Sequence, residues 1–115
     1  PELVEAVIER ESGWNPDAQN GECVGLMQVD QIIHWKRAQD MGVCTLMDPY
    51  DNIRVGISIL EDLLKKYGEP APALMYYNAG YSDKLGITAY NNGEISDYAN
   101  EILARSAELE REHGK

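Results

Sequence analysis

Residues 1–13 read PELVEAVIERESG. Leu3, Val4, Val7 and Ile8 recur at helical spacing, while Glu2, Glu5, Glu9 and Arg10 fall on the other side. Pro1 suits a helix start, because the N–H it lacks would have no partner there. Gly13 is a natural stop, with Pro16 just beyond it. The pattern predicts a short amphipathic helix ending near Ser12. Position 11 continues the face made by positions 3, 4, 7 and 8, yet it carries a glutamate. A carboxylate in the last turn opposes the helix dipole, and apolar neighbours disfavour the anion. Both effects raise its pKa, and a carboxylic acid kept protonated near neutral pH can act as a general acid. A slight roll of the helix would instead leave Glu11 solvated like Glu9.

Working outward, residues 13–25, GWNPDAQNGECVG, have the Gly- and Asn-rich chemistry of a loop. A short apolar patch follows, from Leu26 to Val29. Asp30 is placed to cap a second helix over about 31–41, closed by Gly42. After a loop containing Pro49, the longest helix is predicted over about 51–67. Its stripe is Ile53, Gly56, Ile57, Leu60, Leu63, Leu64 and Tyr67, and Gly68 ends it. A further helix spans about 70–78. Residues 79–95 read as irregular. The last helix starts near Ser96 and carries Tyr98, Ala99, Ile102, Leu103, Ser106 and Leu109, with a charged tail expected to fray. No strand-like alternation stands out, and Asn92-Gly93 between Tyr90 and Ile95 is only a weak hairpin signal. The fold class is therefore mainly α, with loops longer than a plain bundle needs, as a binding cleft would require.

The 115 residues suffice for a single domain, 1–115, and a start at Pro1 reads as a piece excised from a longer protein. With 43% hydrophobic residues the chain is too apolar to be disordered. Twenty acidic against ten basic residues give a net charge of −10, which argues against nucleic acid and against a basic membrane-surface helix. No apolar run approaches the ~20 residues a bilayer span needs, so no membrane insertion by this domain is expected.

Three further features bear on chemistry. In Gly25-Leu26-Met27-Gln28, glycine permits close backbone approach to a ligand, and Gln28 offers a donor and an acceptor to an amide- or hydroxyl-rich one. The alternative makes Leu26 and Met27 core residues and leaves Gln28 exposed. In Tyr77-Asn78-Ala79-Gly80, Tyr77 presents an apolar ring with a polar tip, and Asn78 either bonds a substrate or caps a helix end. Cys23 and Cys44 are either free thiols or a disulfide, the latter if the domain works outside the cytoplasm. Gly21-x-Cys23-x-Gly25 follows a polar loop rather than a strand, which disqualifies a nucleophile elbow. His34 and His113 lack zinc-hydrolase spacing, so neither metal nor cofactor is expected. His34 reads as a helix-surface or cleft-edge residue.

The order of these pieces resembles the SLT-type lytic transglycosylases, soluble relatives of goose-type lysozyme. The resemblance rests on IERESGWNP, GLMQ, DPYDNIRVGISIL, YYNAG and a late helical tyrosine, from about Val4 to about Leu103. It implies a lysozyme-like fold, with Glu11 as catalytic acid/base and Ser12 following it. It further implies a glycan cleft formed by Gly25, Leu26, Met27 and Gln28, with Tyr77, Asn78, Ala79 and Tyr98 also binding substrate. Asn52 and Ile53 match the start of the family's long core helix. The implied substrate is peptidoglycan glycan strands, and hence a place outside the cytoplasm; the domain is expected to act as a monomer. The implied bond is the β-1,4 link between N-acetylmuramic acid and N-acetylglucosamine. A goose-type muramidase, with Asp30, Asp48, Asp51 or Asp83 activating water, and a non-catalytic glycan-binding module are the alternatives. The sequence departs from the family after GLMQ, where VDQIIHWKRAQ recasts the cleft wall and His34 and Trp35 are placed to reach substrate.

Overall fold

The computed structural model describes residues 2–79 and 95–114. Pro1, Gly80, Asp83, the Asn92-Gly93 signal and most of the irregular segment lie outside the described residues, as does the side chain of Ala79. Five helices and a small sheet make up the rest: α1 (Glu2–Ser12), α2 (Trp35–Asp40), α3 (Pro49–Tyr67), α4 (Pro70–Ala79) and α5 (Asp97–Glu112). The strands are β1 (Gln19–Asn20), β2 (Cys23–Val24) and β3 (Val29–Asp30), antiparallel in the order β1-β2-β3. Their register pairs Asn20 with Cys23 and Val24 with Val29. Each strand has only two residues, too few to display an alternating pattern. That is why a sheet was invisible in the sequence.

The chain divides into two compact units, Val7–Ser58 and the combination of Pro1–Ala6 with Ile59–Lys115. Helices α1 and α3 contribute residues to both.

In the Val7–Ser58 unit, α1 ends as expected. The Gly13 N–H bonds Glu9 O at 3.0 Å, and Gly13 and Trp14 both adopt left-handed backbone, with φ of 59° and 67°. Helix α2 starts later than expected. The Asp30 carboxylate accepts the N–H groups of Ile32 and Ile33 at 2.9 and 3.0 Å, and residues 31–34 form turns. Asp30 therefore caps the turn that precedes the helix and not the helix itself, which begins only at Trp35 after His34. Helix α3 begins at Pro49, the first-turn position that tolerates a missing N–H. Asp48 caps it, its carboxylate accepting the Asp51 N–H at 2.9 Å.

The buried face of α3 is Asn52, Val55, Gly56, Ile59, Leu60 and Leu63. Ile53, Ile57, Leu64 and Tyr67 are only half-buried at its edge. The predicted stripe is therefore rotated by about one residue, because a wholly apolar reading skipped the asparagine at its start.

In the other unit, α4 is buried at every position from Pro72 to Tyr76, as a helix apolar all round must be. It packs against α5. Tyr67 and Tyr76 lie with ring centroids 5.4 Å apart, and the Lys66 ammonium sits over both. Ser96 caps α5 by accepting the Ala99 N–H at 3.2 Å. The tail of α5 stays helical to Glu112, contrary to the expected fraying: Leu109 is buried, and His113 Nδ1 lies 2.8 Å from the carboxylate of Glu2. No helix among the described residues is long and apolar enough to cross a membrane.

Candidate active site

Glu11 occupies the last turn of α1 and is half-buried. Of the expected apolar face, Val7 and Ile8, one turn back, are buried in the core, while Leu3 and Val4 are half-buried, as are Glu9 and Glu11. Ser12 follows it. Its hydroxyl lies 2.8 Å from Leu26 O and 3.1 Å from Ile8 O. The hydroxyl has one proton, and the shorter contact ties the end of α1 to the 25–28 turn. Ser12 therefore spends its donor on the backbone.

The turn itself is built from within. Leu26 and Met27 are buried, as the core alternative for them required. Gln28 is buried as well, not exposed, and its backbone is left-handed with φ 51°. Its amide Nε2 donates to Gly25 O at 2.9 Å and to Ala18 O at 3.1 Å, while its Oε1 accepts from Asn20 Nδ2 at 3.0 Å. Both donor protons are thus committed, and one acceptor lone pair remains for a ligand. Ala18 O also takes the Gly25 N–H at 2.8 Å, which closes the 18–25 loop.

Asn52 was missed as a site-building residue. It is fully buried, and its amide meets three backbone groups: it accepts the Met27 N–H at 2.8 Å and donates to Val24 O at 2.8 Å and Leu46 O at 2.9 Å. The available signal was its register, one turn before Val55 and Gly56 on the buried face. Gly25 leaves room for Asn52: a Cβ there would come within 2.6 Å of Asn52 Cγ, and φ is +79°. One turn along α3, a Cβ on Gly56 would come within 2.8 Å of Met27 Cβ. Asn52 and Gly56 together hold the turn against α3.

Cys23, on β2, connects the sheet to this region electrostatically. Its thiol is pushed up from 9.0 by burial first, then by the negative charges of Asp30, Glu11 and Glu22. The Glu11 carboxylate is therefore close enough for its charge to be felt at Cys23. A raised pKa suppresses the thiolate, which further disqualifies Cys23 as a nucleophile. Of the two alternatives for the cysteines, the structure has the free thiols, so the possible Cys23–Cys44 disulfide is not formed.

His34 is buried rather than on the helix surface. Burial, aided by Arg37 and opposed by Asp30, lowers its pKa to about 4, so the imidazole is neutral near pH 7.

The remaining site residues belong to the other unit. Tyr77 is half-buried and Asn78 exposed at the end of α4, and Tyr98 is buried in the first turn of α5. The Asn78 side chain makes no hydrogen bond with the other described residues. Among the described residues, Glu2, Glu5 and His113 bring three ligand-type atoms within 4.8 Å of one another, and Glu2 and His113 are already hydrogen-bonded.

Comparison with known proteins follows the same lines. The profile of the transglycosylase SLT domain matches residues 1–108. The chain is 40% identical over 91 residues to the invasion protein IagB of Salmonella typhimurium, covering 72% of this chain and 56% of that protein. It is 36% identical over 80 residues to a transglycosylase of Enterobacteria phage PRD1, covering 70% and 29%. With the membrane-bound lytic murein transglycosylase F of Yersinia pseudotuberculosis it shares 34% identity over 102 residues, covering 79% and 20%. The chain thus spans about half or less of the length of these relatives. The 70 kDa soluble lytic transglycosylase Slt70 of Escherichia coli superposes with a TM-score of 0.80 at 23% identity, over 99% of this chain and 22% of that one. An inactive mutant of the lytic transglycosylase Slt from Pseudomonas aeruginosa gives 0.79 at 20%, over 98% and 22%. The fold is the mainly helical, lysozyme-like one.

Proposed function

The chain belongs to the transglycosylase SLT domain family, and from that membership we propose that it is a peptidoglycan lytic transglycosylase with Glu11 as its single acid/base. It cleaves the β-1,4 bond between N-acetylmuramic acid and N-acetylglucosamine. Protonated Glu11 gives its proton to the bridging oxygen as the C1–O bond breaks. The acetamido group of the muramic acid covers the positive charge at C1. The Glu11 carboxylate then takes the proton of the same sugar's 6-hydroxyl, whose oxygen attacks C1 and closes a 1,6-anhydro ring. Attack from within one sugar needs no ordered water and gains from proximity.

The observation that carries this reading is Glu11 itself: a half-buried carboxyl ending an apolar helix face, with the next residue bonded to the Gly-Leu-Met-Gln turn. Gln28 orients sugar through its remaining lone pair and otherwise maintains the turn. Tyr77, Asn78, Ala79 and Tyr98 are assigned to substrate through the family motif. A muramidase would need a second carboxylate for water. Asp30 already accepts two backbone N–H groups in the turn before α2, Asp48 accepts one at the start of α3, and Asp51 is paired with Arg54 at 3.0 Å. Their occupation supports the non-hydrolytic outcome; Asp83 lies outside the described residues. With peptidoglycan as its substrate, the domain would act outside the cytoplasm, and we take it as a monomer.

Digestion of purified peptidoglycan tests the proposal. Products one water lighter, without reducing ends, are expected, and Glu11→Gln should abolish them with unchanged circular dichroism. Reducing ends would convert the assignment to a muramidase. Binding without cleavage would convert it to a glycan-binding module, and an active Glu11→Gln would remove Glu11 from the mechanism.

A further inference from the structure

A groove of about 460 Å³ lies within the Val7–Ser58 unit, between α2 and the segment 42–46. It shares no residue with Glu11, Ser12 or the 25–28 turn. Gly42, with φ +74°, turns the chain back along α2, and the Val43 N–H bonds Ala38 O at 2.9 Å, fixing one wall to the other. Buried Ala38 and Leu46 contribute apolar lining. Trp35 lines it as well, and this indole is 60% exposed. Gln31, Gln39 and Thr45 supply the polar groups.

Two aspects of the lining define a ligand. It contains no charged side chain, although 26% of the chain is charged, so neither an anion nor a cation is selected. Its polar groups are also unspent. Neither glutamine amide makes a hydrogen bond among the described residues, and Thr45 Oγ1 accepts the Met47 N–H at 3.1 Å while keeping its own proton. Trp35 and Gln39 are one helical turn apart on α2, so ring and amide address the same space. A neutral ligand with one apolar face and a rim of hydroxyl and amide groups fits such a lining. A pyranose bearing an acetamido group has that form: its C–H face lies on the negative face of an aromatic ring, and its edge meets the amides. The volume falls within the range of small-ligand sites.

We propose that this groove is a second saccharide subsite, in which Trp35 stacks on one N-acetylhexosamine of a glycan strand and Gln31, Gln39 and Thr45 bond its edge. It would hold the strand away from Glu11 and keep the domain on its polymer between cleavages. The inference rests on the transglycosylase reading only for the class of sugar chosen.

The test is a titration of the isotopically labelled 115-residue chain, carrying Glu11→Gln to prevent turnover, with tri-N-acetylchitotriose. The Trp35 indole N–H and the side-chain amides of Gln31 and Gln39 should shift and saturate, with Trp14 as the reference indole. Trp35→Ala should weaken the response at the two glutamines by about tenfold or more and leave the rest of the spectrum in place, since the indole is largely exposed. Silence at these three residues up to about 10 mM sugar would overturn the subsite, as would an unchanged response in Trp35→Ala. Shifts at Trp35 that follow protein concentration instead of sugar would also overturn it, assigning this face to contact between copies. Failure here with Glu11-dependent cleavage intact removes the subsite alone. Saturation here without any cleavage removes the enzyme reading alone.

Discussion

The Ser12 hydroxyl lies 2.8 Å from the carbonyl oxygen of Leu26. This bond joins the residue after Glu11 to the second residue of the Gly-Leu-Met-Gln turn, fourteen positions along the chain. It makes the Glu-Ser pair and the turn one piece of architecture. Ser12→Ala is expected to destabilise the fold by about 1–2 kcal/mol, the range for a partly buried carbonyl left without its partner. Activity should fall further than stability at temperatures where the variant is folded, because the end of α1 loses its anchor. Urea denaturation and peptidoglycan turnover on the same preparation separate the two.

Asn52→Ala should be far more costly. It removes three buried hydrogen bonds and leaves the Met27 N–H and the carbonyls of Val24 and Leu46 without partners. At about 1–3 kcal/mol per orphaned group, with partial relaxation, a loss of about 3–5 kcal/mol is expected. Asn52→Asp keeps an acceptor for Met27 but turns oxygen toward two carbonyls, so it should rescue little. Denaturant midpoints of the two variants provide the check.

Gly56→Ala sets two effects against each other. Replacing a mid-helix glycine gains about 1 kcal/mol of helix propensity. The new methyl meets the Met27 side chain at 2.8 Å from its Cβ, and such overpacking costs about 1–3 kcal/mol. The clash should win, giving net destabilisation. Met27→Ala removes the contacts that the new methyl would make with Met27 Sδ and Cε but keeps the one with Cβ, so combining the two should show only a partial favourable coupling in a double-mutant cycle.

His34 imposes a pH dependence. Its pKa is about 4 folded, below the ordinary 6.5 it regains on unfolding, with burial as the main cause. Between those values the unfolded chain binds more protons, so this residue lowers stability as pH falls from 6.5 toward 4 and adds no further slope outside that window. His34→Gln should flatten this part of the stability-against-pH curve. Denaturation of both proteins at a series of pH values in that range measures the difference.

How much was legible in the sequence depends on the length of the pattern each element offers. Helices α1 and α3 repeat apolar residues over several turns, and Gly13, Gly42 and Gly68 ended their segments where expected. The start of α2 was not legible, because Asp30 caps turns at 32 and 33 before the backbone settles into a helix. The sheet was not legible because two-residue strands have no period. The tail of α5 reads as a solvated charged face, yet Leu109 is buried and His113 reaches Glu2, a partner 111 positions away. At the candidate site, Glu11 was marked by a local anomaly, a glutamate on an apolar face. Asn52 has an anomaly of the same kind on α3, but a polar side chain is a core residue only if three backbone groups happen to surround it.

The sequence by itself determined the helical class and the ends of α1 and α3, and it marked Glu11 as the candidate acid, because periodicity, capping and turn preference act over a few neighbouring residues. Only the tertiary structure decided that Ser12, Gly25 and Gln28 serve the turn before any ligand, and that Asn52 and Gly56 hold it. Hydrogen bonds and steric fit join groups that the chain keeps far apart, and their partners are fixed only once the backbone has closed around them.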